Sequence, residues 1–255
     1  MPRYFLELAY KGTAYSGFQV QPGRATVQSE VEKALQVLFK QAFELTGSSR
    51  TDAGVHAKQN FFHFDTGQAI YSRQLYNLNA LLPPDIVVKG IYRVPETAHS
   101  RFDAVSREYQ YFIYHSKDPF LTDRAWRYPY PLDRELLQQA AVVVAGHRDF
   151  TSFSKRNTQV KTFLCTIEHS EWTVQGGRLV YTVRANRFLR GMVRGLVGTM
   201  LKVGRKQLSI NELNAIIEAR DCALADFSSP AQGLFLAAVN YPEALTRQFL
   251  PLNNG

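Results

Sequence analysis

The sequence predicts an α+β protein, and its periodicities carry that prediction. Stretches in which polar and apolar residues alternate are interleaved with stretches of helical periodicity. In the first half their order is strand–helix–strand–strand–helix–strand, and the second half repeats the idea less clearly. Arg3 to Ala9 alternates and reads as a strand. Val27, Val31, Ala34, Leu35 and Leu38 then recur at helical spacing between Thr26 and Gln41, with Thr26 as N-cap. A strand leads into the loop around Asp52, and Gln59 to Asp65 leaves it. A helix from Arg73 to Leu82 stops at Pro83-Pro84, and Asp85 to Arg93 returns as a strand. Arg107 to His115 is an aromatic strand, with Tyr109, Tyr111 and Ile113 on one face and Phe112 and Tyr114 on the other. Asp133 caps a helix to Ala145. Phe163 to Val174 and Leu179 to Asn186 form a hairpin about Gly176-Gly177. Phe188 to Val203 reads as a helix ended by Gly204, and Ser209-Ile210-Asn211-Glu212 opens another with a capping box. Leu234 to Tyr241 closes as a strand.

The 255 residues suffice for one large or two modest domains. A boundary is expected near Asp103 to Ser106, dividing residues 1–104 from residues 105–255. Hydrophobic residues make up 45%, enough for a core, which argues against a disordered chain. The 30 Lys and Arg outnumber the 22 Asp and Glu, leaving a net charge of +8. Such a balance favours an anionic partner, most simply nucleic acid. The two cysteines, Cys165 and Cys222, lie far apart, so neither a disulfide framework nor a zinc site is expected. The first residues hold no apolar signal core and no apolar run is long enough to span a bilayer, so the cytoplasm is the expected location.

The run Gly47-Ser48-Ser49-Arg50-Thr51-Asp52-Ala53-Gly54-Val55-His56-Ala57 carries the chemistry. It pins a carboxylate among small residues, two places after an arginine. Gly47 and Gly54 can take dihedrals that other residues avoid, which lets backbone approach a ligand. Asp52 there is placed to act as a nucleophile where a cation keeps it ionised. Taken alone, the run fits a structural Asx-turn better than a catalytic loop.

Around it stand further motifs in a fixed order. Tyr10-Lys11-Gly12-Thr13-Ala14-Tyr15-Ser16-Gly17-Phe18-Gln19-Val20-Gln21 precedes it. Arg107-Glu108-Tyr109-Gln110-Tyr111, Gly146-His147-Arg148-Asp149-Phe150-Thr151-Ser152-Phe153, Phe188-Leu189-Arg190-Gly191-Met192-Val193-Arg194 and Gly233-Leu234-Phe235-Leu236 follow. Together with Arg50 to Ala57 they resemble, over nearly the whole chain, the TruA-type pseudouridine synthases that modify tRNA. The resemblance implies two ferredoxin-like or RRM-like α+β halves, with antiparallel sheets meeting at a central RNA-binding cleft. It also implies a homodimer acting on the anticodon arm of tRNA, at uridines 38, 39 and 40, with no DNA and no membrane as partner.

Turning uridine into pseudouridine breaks the N1–C1′ bond, rotates the base and joins C5 to C1′. Nothing is oxidised, added or lost, so neither cofactor nor metal is expected. The target must leave the stack, because stacking hides the reacting atoms. By resemblance Asp52 is the catalytic carboxylate. Attack at C1′, addition at C6 and removal of the C2′ proton all remain open to it. Tyr109 is assigned to stacking on the target base, which is worth about 1–3 kcal/mol, with proton transfer at C5 left open to it as well. Arg50 fills the vacated space or contacts phosphate, and Leu234 walls the uracil pocket. Tyr111 reads as core and His56 as loop structure.

Arg187, Arg190 and Arg194 are spaced three and then four apart, which puts them on one face of the expected helix. The resemblance sets Arg194 against the catalytic aspartate, where it would hold the carboxylate ionised. Gly191, Gly195 and Gly198 weaken that helix and suggest close approach by backbone or RNA. Arg101, Arg107, Arg187, Arg190, Lys11 and Lys58 are candidate phosphate contacts, since reading several adjacent uridines calls for recognition by shape. The chain departs from the family pattern at Ser49, where glycine is usual, at Phe18, where tryptophan is, and at Ser229-Pro230, which replaces Ala-Pro. Two rivals stand behind this reading. A non-catalytic RNA-binding protein would not need Asp52, Tyr109 and Arg194 together. A glycosidase would want paired carboxylates where the loop offers one.

Overall fold

A computed structural model describes residues 1–156 and 160–252. The chain divides into two compact units, one of residues 1–105 with 236–255 and the other of residues 106–235. Each is α+β.

In the first unit β1 (Arg3–Tyr10) runs antiparallel to both β3 (His56–Asp65) and β4 (Ile86–Val94), and the short β2 (Thr46–Gly47) pairs with β3. Helices α1 (Val27–Phe39) and α2 (Arg73–Leu81) complete the pattern. Thr26 caps α1 as its composition predicts, accepting from the Ser29 N–H in a reciprocal capping box. The helix buries Val27, Val31, Ala34, Leu35 and Phe39, the positions its periodicity singled out, except that Phe39 takes the place of Leu38 at the end. Lys40 then adopts a left-handed conformation, with φ of 57°, and ends the helix.

The second unit is built on β5 (Ser106–Tyr114), with the short β6 (Trp126–Arg127) parallel to it on one side. After α3 (Arg134–Gly146) come β7 (Ile167–Gln175) and β8 (Arg178–Ala185), giving the antiparallel order β5-β8-β7. The two faces of β5 are both covered. Tyr111 packs edge-on to Trp126, whereas Phe112 meets Phe235. Gly176 and Gly177 take φ of 54° and 74°, the left-handed pair that a two-residue hairpin turn requires. Strand β7 begins four residues later than its composition suggests. The chain ahead of it is engaged elsewhere, Leu164 bridging Asp149 and the Cys165 N–H reaching the Arg148 carbonyl.

A larger correction concerns the arginine-rich segment. Helix α4 is Met192–Gly204 and does not reach back to Phe188. Gly191 precedes it with φ of 76°, a left-handed conformation that breaks the helical path. The Arg190 carbonyl accepts from the Lys155 N–H instead of continuing the helix. Arg187 and Arg190 therefore lie outside α4, and the single face shared by three arginines does not form. Met192, Leu196 and Met200 are fully buried on α4, while Phe188 belongs to the loop before it. Helix α5 (Ile210–Glu218) has the capping box its opening residues predict.

The chain returns to the first unit through β9 (Leu234–Asn240), which lies beside β3, and ends with α6 (Glu243–Thr246) and β10 (Leu250–Pro251) against β4. The first unit thus has the strand order β10-β4-β1-β3-β9. No helix among the described residues is long and apolar enough to cross a membrane.

Candidate active site

Asp52 sits on the turn between β2 and β3, and the Tyr10-to-Gln21 motif holds that turn from behind. Gly12 and Gly17 do this through what they lack. A methyl group on Gly12 would stand 2.0 Å from the Val55 carbonyl oxygen. Gly17, with φ of 99°, brings its backbone to the Thr51 carbonyl, where an added Cβ would lie at 3.1 Å. Hydrogen bonds complete the clamp. The Gly12 N–H donates to His56 Nδ1 at 3.0 Å, and the Phe18 N–H to the Thr51 carbonyl at 3.1 Å. His56 is thus structural, as its sequence context suggests.

The glycines of the loop divide their labour differently from expectation. Gly54 does take a left-handed φ of 79°, which closes the turn with a Val55 N–H to Asp52 carbonyl bond of 3.1 Å. Gly47 stays out of that region and makes room instead, since a Cβ there would fall 2.3 Å from the Phe18 ring. Phe18 stacks on Phe62 at 4.6 Å and 15°, so the smaller ring in place of tryptophan is fully packed. Ser49 also keeps an ordinary backbone, and the usual glycine is not needed for its φ.

One residue that the sequence reading passed over organises the loop. Asn60, fully buried on β3, donates from Nδ2 to the Ser49 carbonyl at 3.0 Å and to the Tyr10 hydroxyl at 3.2 Å. Its Oδ1 accepts from the Ser48 hydroxyl at 3.0 Å. Tyr10 in turn meets Thr51 Oγ1 at 2.8 Å. Asn60 thereby reaches Ser48, Ser49 and Thr51, all buried, just before the aspartate. Its signal was an amide directly before the largely apolar Phe61-Phe62-His63-Phe64, where burying a polar group demands partners.

Against this rigid backing the Asp52 carboxylate is half-buried, and no group of its own unit donates a hydrogen bond to it among the described residues. The self-bonded Asx-turn does not form. Arg50 is exposed on the same turn. Lys58 is exposed on β3, and the half-buried Lys11 fixes its N–H on the Asp85 carbonyl at 2.8 Å. Arg101 is exposed further along the unit.

The second unit gathers the remaining candidates. Tyr109 is buried on β5 opposite Val183, with the Phe188 ring edge-on at 5.0 Å. Arg107 lies two residues before it and its guanidinium reaches toward the Asn186 carbonyl at 3.4 Å, beside Arg187. Arg190 is exposed. Arg194, half-buried on the first turn of α4, donates from Nε to the Ser229 carbonyl at 2.6 Å. The fully buried Tyr111 donates to the neighbouring Pro230 carbonyl at 2.7 Å, and burial pushes its phenol far above the usual range. Backbone carbonyls do the holding here, so serine in place of alanine at position 229 leaves both bonds intact. Gly233 lets the Tyr111 ring approach, a Cβ there falling 2.6 Å from it, and sets the buried Leu234 at the start of β9. The glycines of α4 admit protein: Gly198 faces the Asp226 carbonyl and Gly195 the Phe227 ring.

Among the described residues no three of His, Cys, Asp and Glu group as a metal site. Burial pushes the Cys165 thiol up to about 11, which leaves it inert.

A family model described as tRNA pseudouridine synthase matches residues 8–103 and 140–242. This chain belongs to the tRNA pseudouridine synthase family. The family consists of isomerases acting on tRNA, and the α+β architecture agrees with membership. Among curated relatives, the tRNA pseudouridine synthase A of Parabacteroides distasonis is 45% identical over 249 residues, covering 96% of this chain and 98% of its own. That of Bacteroides thetaiotaomicron is 44% identical over 95% of this chain and 92% of its own. The Bacillus subtilis protein of the same name is 40% identical over 92% and 97%. The synthase relatives therefore span both units.

Proposed function

We propose that this synthase isomerises uridine to pseudouridine at positions 38, 39 and 40 in the anticodon arm of tRNA, with Asp52 as the essential carboxylate. One observation carries the assignment of Asp52: a turn locked by Asn60, Tyr10, Gly12 and Gly17 presents a half-exposed carboxylate that its own unit leaves without a donor. A structural aspartate in so well-bonded a loop would be expected to bond that loop. In the reaction the N1–C1′ bond breaks and C5 bonds to C1′, while the C5 proton leaves and N1 regains one. Asp52 acts at C1′, C6 or the C2′ proton.

Tyr109 stacks on the flipped base, Leu234 walls the uracil, Arg50 contacts the backbone around the vacated position, and Arg194 keeps Asp52 ionised. Arg101, Arg107, Arg187, Arg190, Lys11 and Lys58 neutralise phosphates, with the working enzyme a homodimer. The net charge of +8 supports an RNA surface of this kind.

The test compares wild type with Asp52→Ala and Asp52→Asn on an unmodified tRNA transcript, mapping pseudouridine by carbodiimide adduct and primer extension and measuring binding in parallel. The wild type is expected to convert uridines 38 to 40. Both variants are expected to bind with unchanged Kd and to form none. A wild type that binds tRNA without converting any uridine overturns the assignment in favour of a non-catalytic binder.

A further inference from the structure

We propose that Phe102, flanked by His99 and Arg101, is a stacking face for an unpaired base of the tRNA substrate. The proposal rests on the tRNA reading above and adds a contact outside the catalytic loop. Phe102 is 75% exposed, an apolar ring held in water. Exposure alone means little, because Phe120 and Tyr76 are exposed to a similar degree. Two further observations set Phe102 apart.

The first is that its loop cannot fold the ring away. Ser100, fully buried, donates its N–H to His63 Nδ1 at 3.2 Å and its hydroxyl to the Thr46 carbonyl at 2.9 Å. The Ser100 carbonyl accepts from the Tyr241 hydroxyl at 2.6 Å. Next to it the His99 N–H donates to Asp103 Oδ2 at 2.8 Å, and the N–H groups of Arg101 and Phe102 converge on His99 Nδ1 at 3.1 and 3.3 Å. Burial, and then the charge of Arg3, hold both imidazoles below their ordinary range, His63 at about 4, so these acceptors persist at neutral pH. A loop bonded at this many points presents its aromatic ring instead of hiding it.

The second is the company the ring keeps. The His99 ring lies 4.2 Å away at 35°, and the Arg101 guanidinium stands 5.7 Å from the Phe102 centroid. Aromatic rings beside a guanidinium are the materials with which proteins hold unstacked bases, the cation serving the phosphate and the ring the base. Phe120 is set differently, with neither an aromatic ring nor a guanidinium against it among the described residues.

The test uses Phe102→Ala, Phe102→Leu and Phe102→Trp in the full chain, with Kd for an unmodified tRNA transcript, conversion of its uridines, and mass in solution by light scattering. The Ala and Leu variants are expected to bind about tenfold more weakly with unchanged mass, while Phe102→Trp retains wild-type Kd and shows added fluorescence quenched by tRNA. Leucine binding like phenylalanine would replace stacking by simple apolar packing and overturn the proposal. So would Ala and Leu variants that bind as wild type, or a change in mass accompanying the loss, which would make the face a contact between copies of the chain. Failure of the wild type itself to convert uridine would sink the functional reading together with this one. A converting wild type with an indifferent Phe102→Ala sinks this one alone.

Discussion

The Asp52 turn and the arginine segment before α4 are both short, glycine-containing and conspicuous in the sequence, yet they are built on opposite plans. The turn is held by side chains and missing side chains from three stretches: Tyr10, Gly12, Gly17, Phe18 and Asn60 all bear on it. The arginine segment is shaped by backbone alone, with Gly191 at φ of 76° and the Arg190 carbonyl tied to the Lys155 N–H. A motif clamped by tertiary partners keeps its geometry when one local residue changes. A motif set by a single left-handed glycine does not.

Substitutions can break or sharpen this contrast, beginning with the largest effect. Gly12→Ala puts a methyl 2.0 Å from the Val55 carbonyl oxygen, and the Val55 backbone it meets cannot rotate aside as a side chain could. It is expected to cost about 3 kcal/mol in urea unfolding and to abolish conversion. A wild-type midpoint would mean that the clamp is not rigid. Asn60→Ala removes the partner of Ser48, of the Ser49 carbonyl and of Tyr10. A loss of about 2 kcal/mol is expected. Because Asn60 acts through the position of Asp52, kcat should fall while KM stays near wild type, and a loss of stability with kcat unchanged would reduce it to a core residue.

Gly191→Ala probes the other plan. A side chain in the left-handed region costs about 1 kcal/mol, and the new Cβ would meet Lys155 Cγ at 3.0 Å. Should stability rise instead, the helix would be extending back through Arg190, and the three arginines would share a face after all. Ser49→Gly closes the series. Ser49 needs no glycine dihedral, so the substitution is expected to lower stability by about 0.5 kcal/mol through the unfolded chain and leave activity unchanged.

Much of the fold was readable from local pattern. Thr26, Asp133 and Ser209 cap their helices because short polar side chains satisfy the first free N–H groups, a matter of a few adjacent residues. The Gly176-Gly177 hairpin was legible for the same reason. The start of α4 was not, because arginines and apolar residues at helical spacing look alike on either side of a left-handed glycine. The start of β7 was hidden too, since Leu164 and Cys165 pair with Asp149 and Arg148, which no window on one stretch reveals. At the site, the residues around Asp52 stood out as a motif, whereas Asn60 offered only the weak signal of an amide beside apolar neighbours. Its importance lies in three hydrogen bonds to two other segments, Ser48-Ser49 and Tyr10.

By itself the sequence determined the succession of strands and helices, the helix caps, the basic charge and the family, because each is written in neighbouring residues or in ordered motifs. Tertiary structure alone decided that Gly12 and Gly17 serve the Asp52 turn, that Asn60 wires it, that β9 lies beside β3, and that Gly191 separates Arg190 from Arg194. Those features depend on which distant atoms come within a few ångströms, and steric exclusion and hydrogen-bond satisfaction act only once the chain has brought them there.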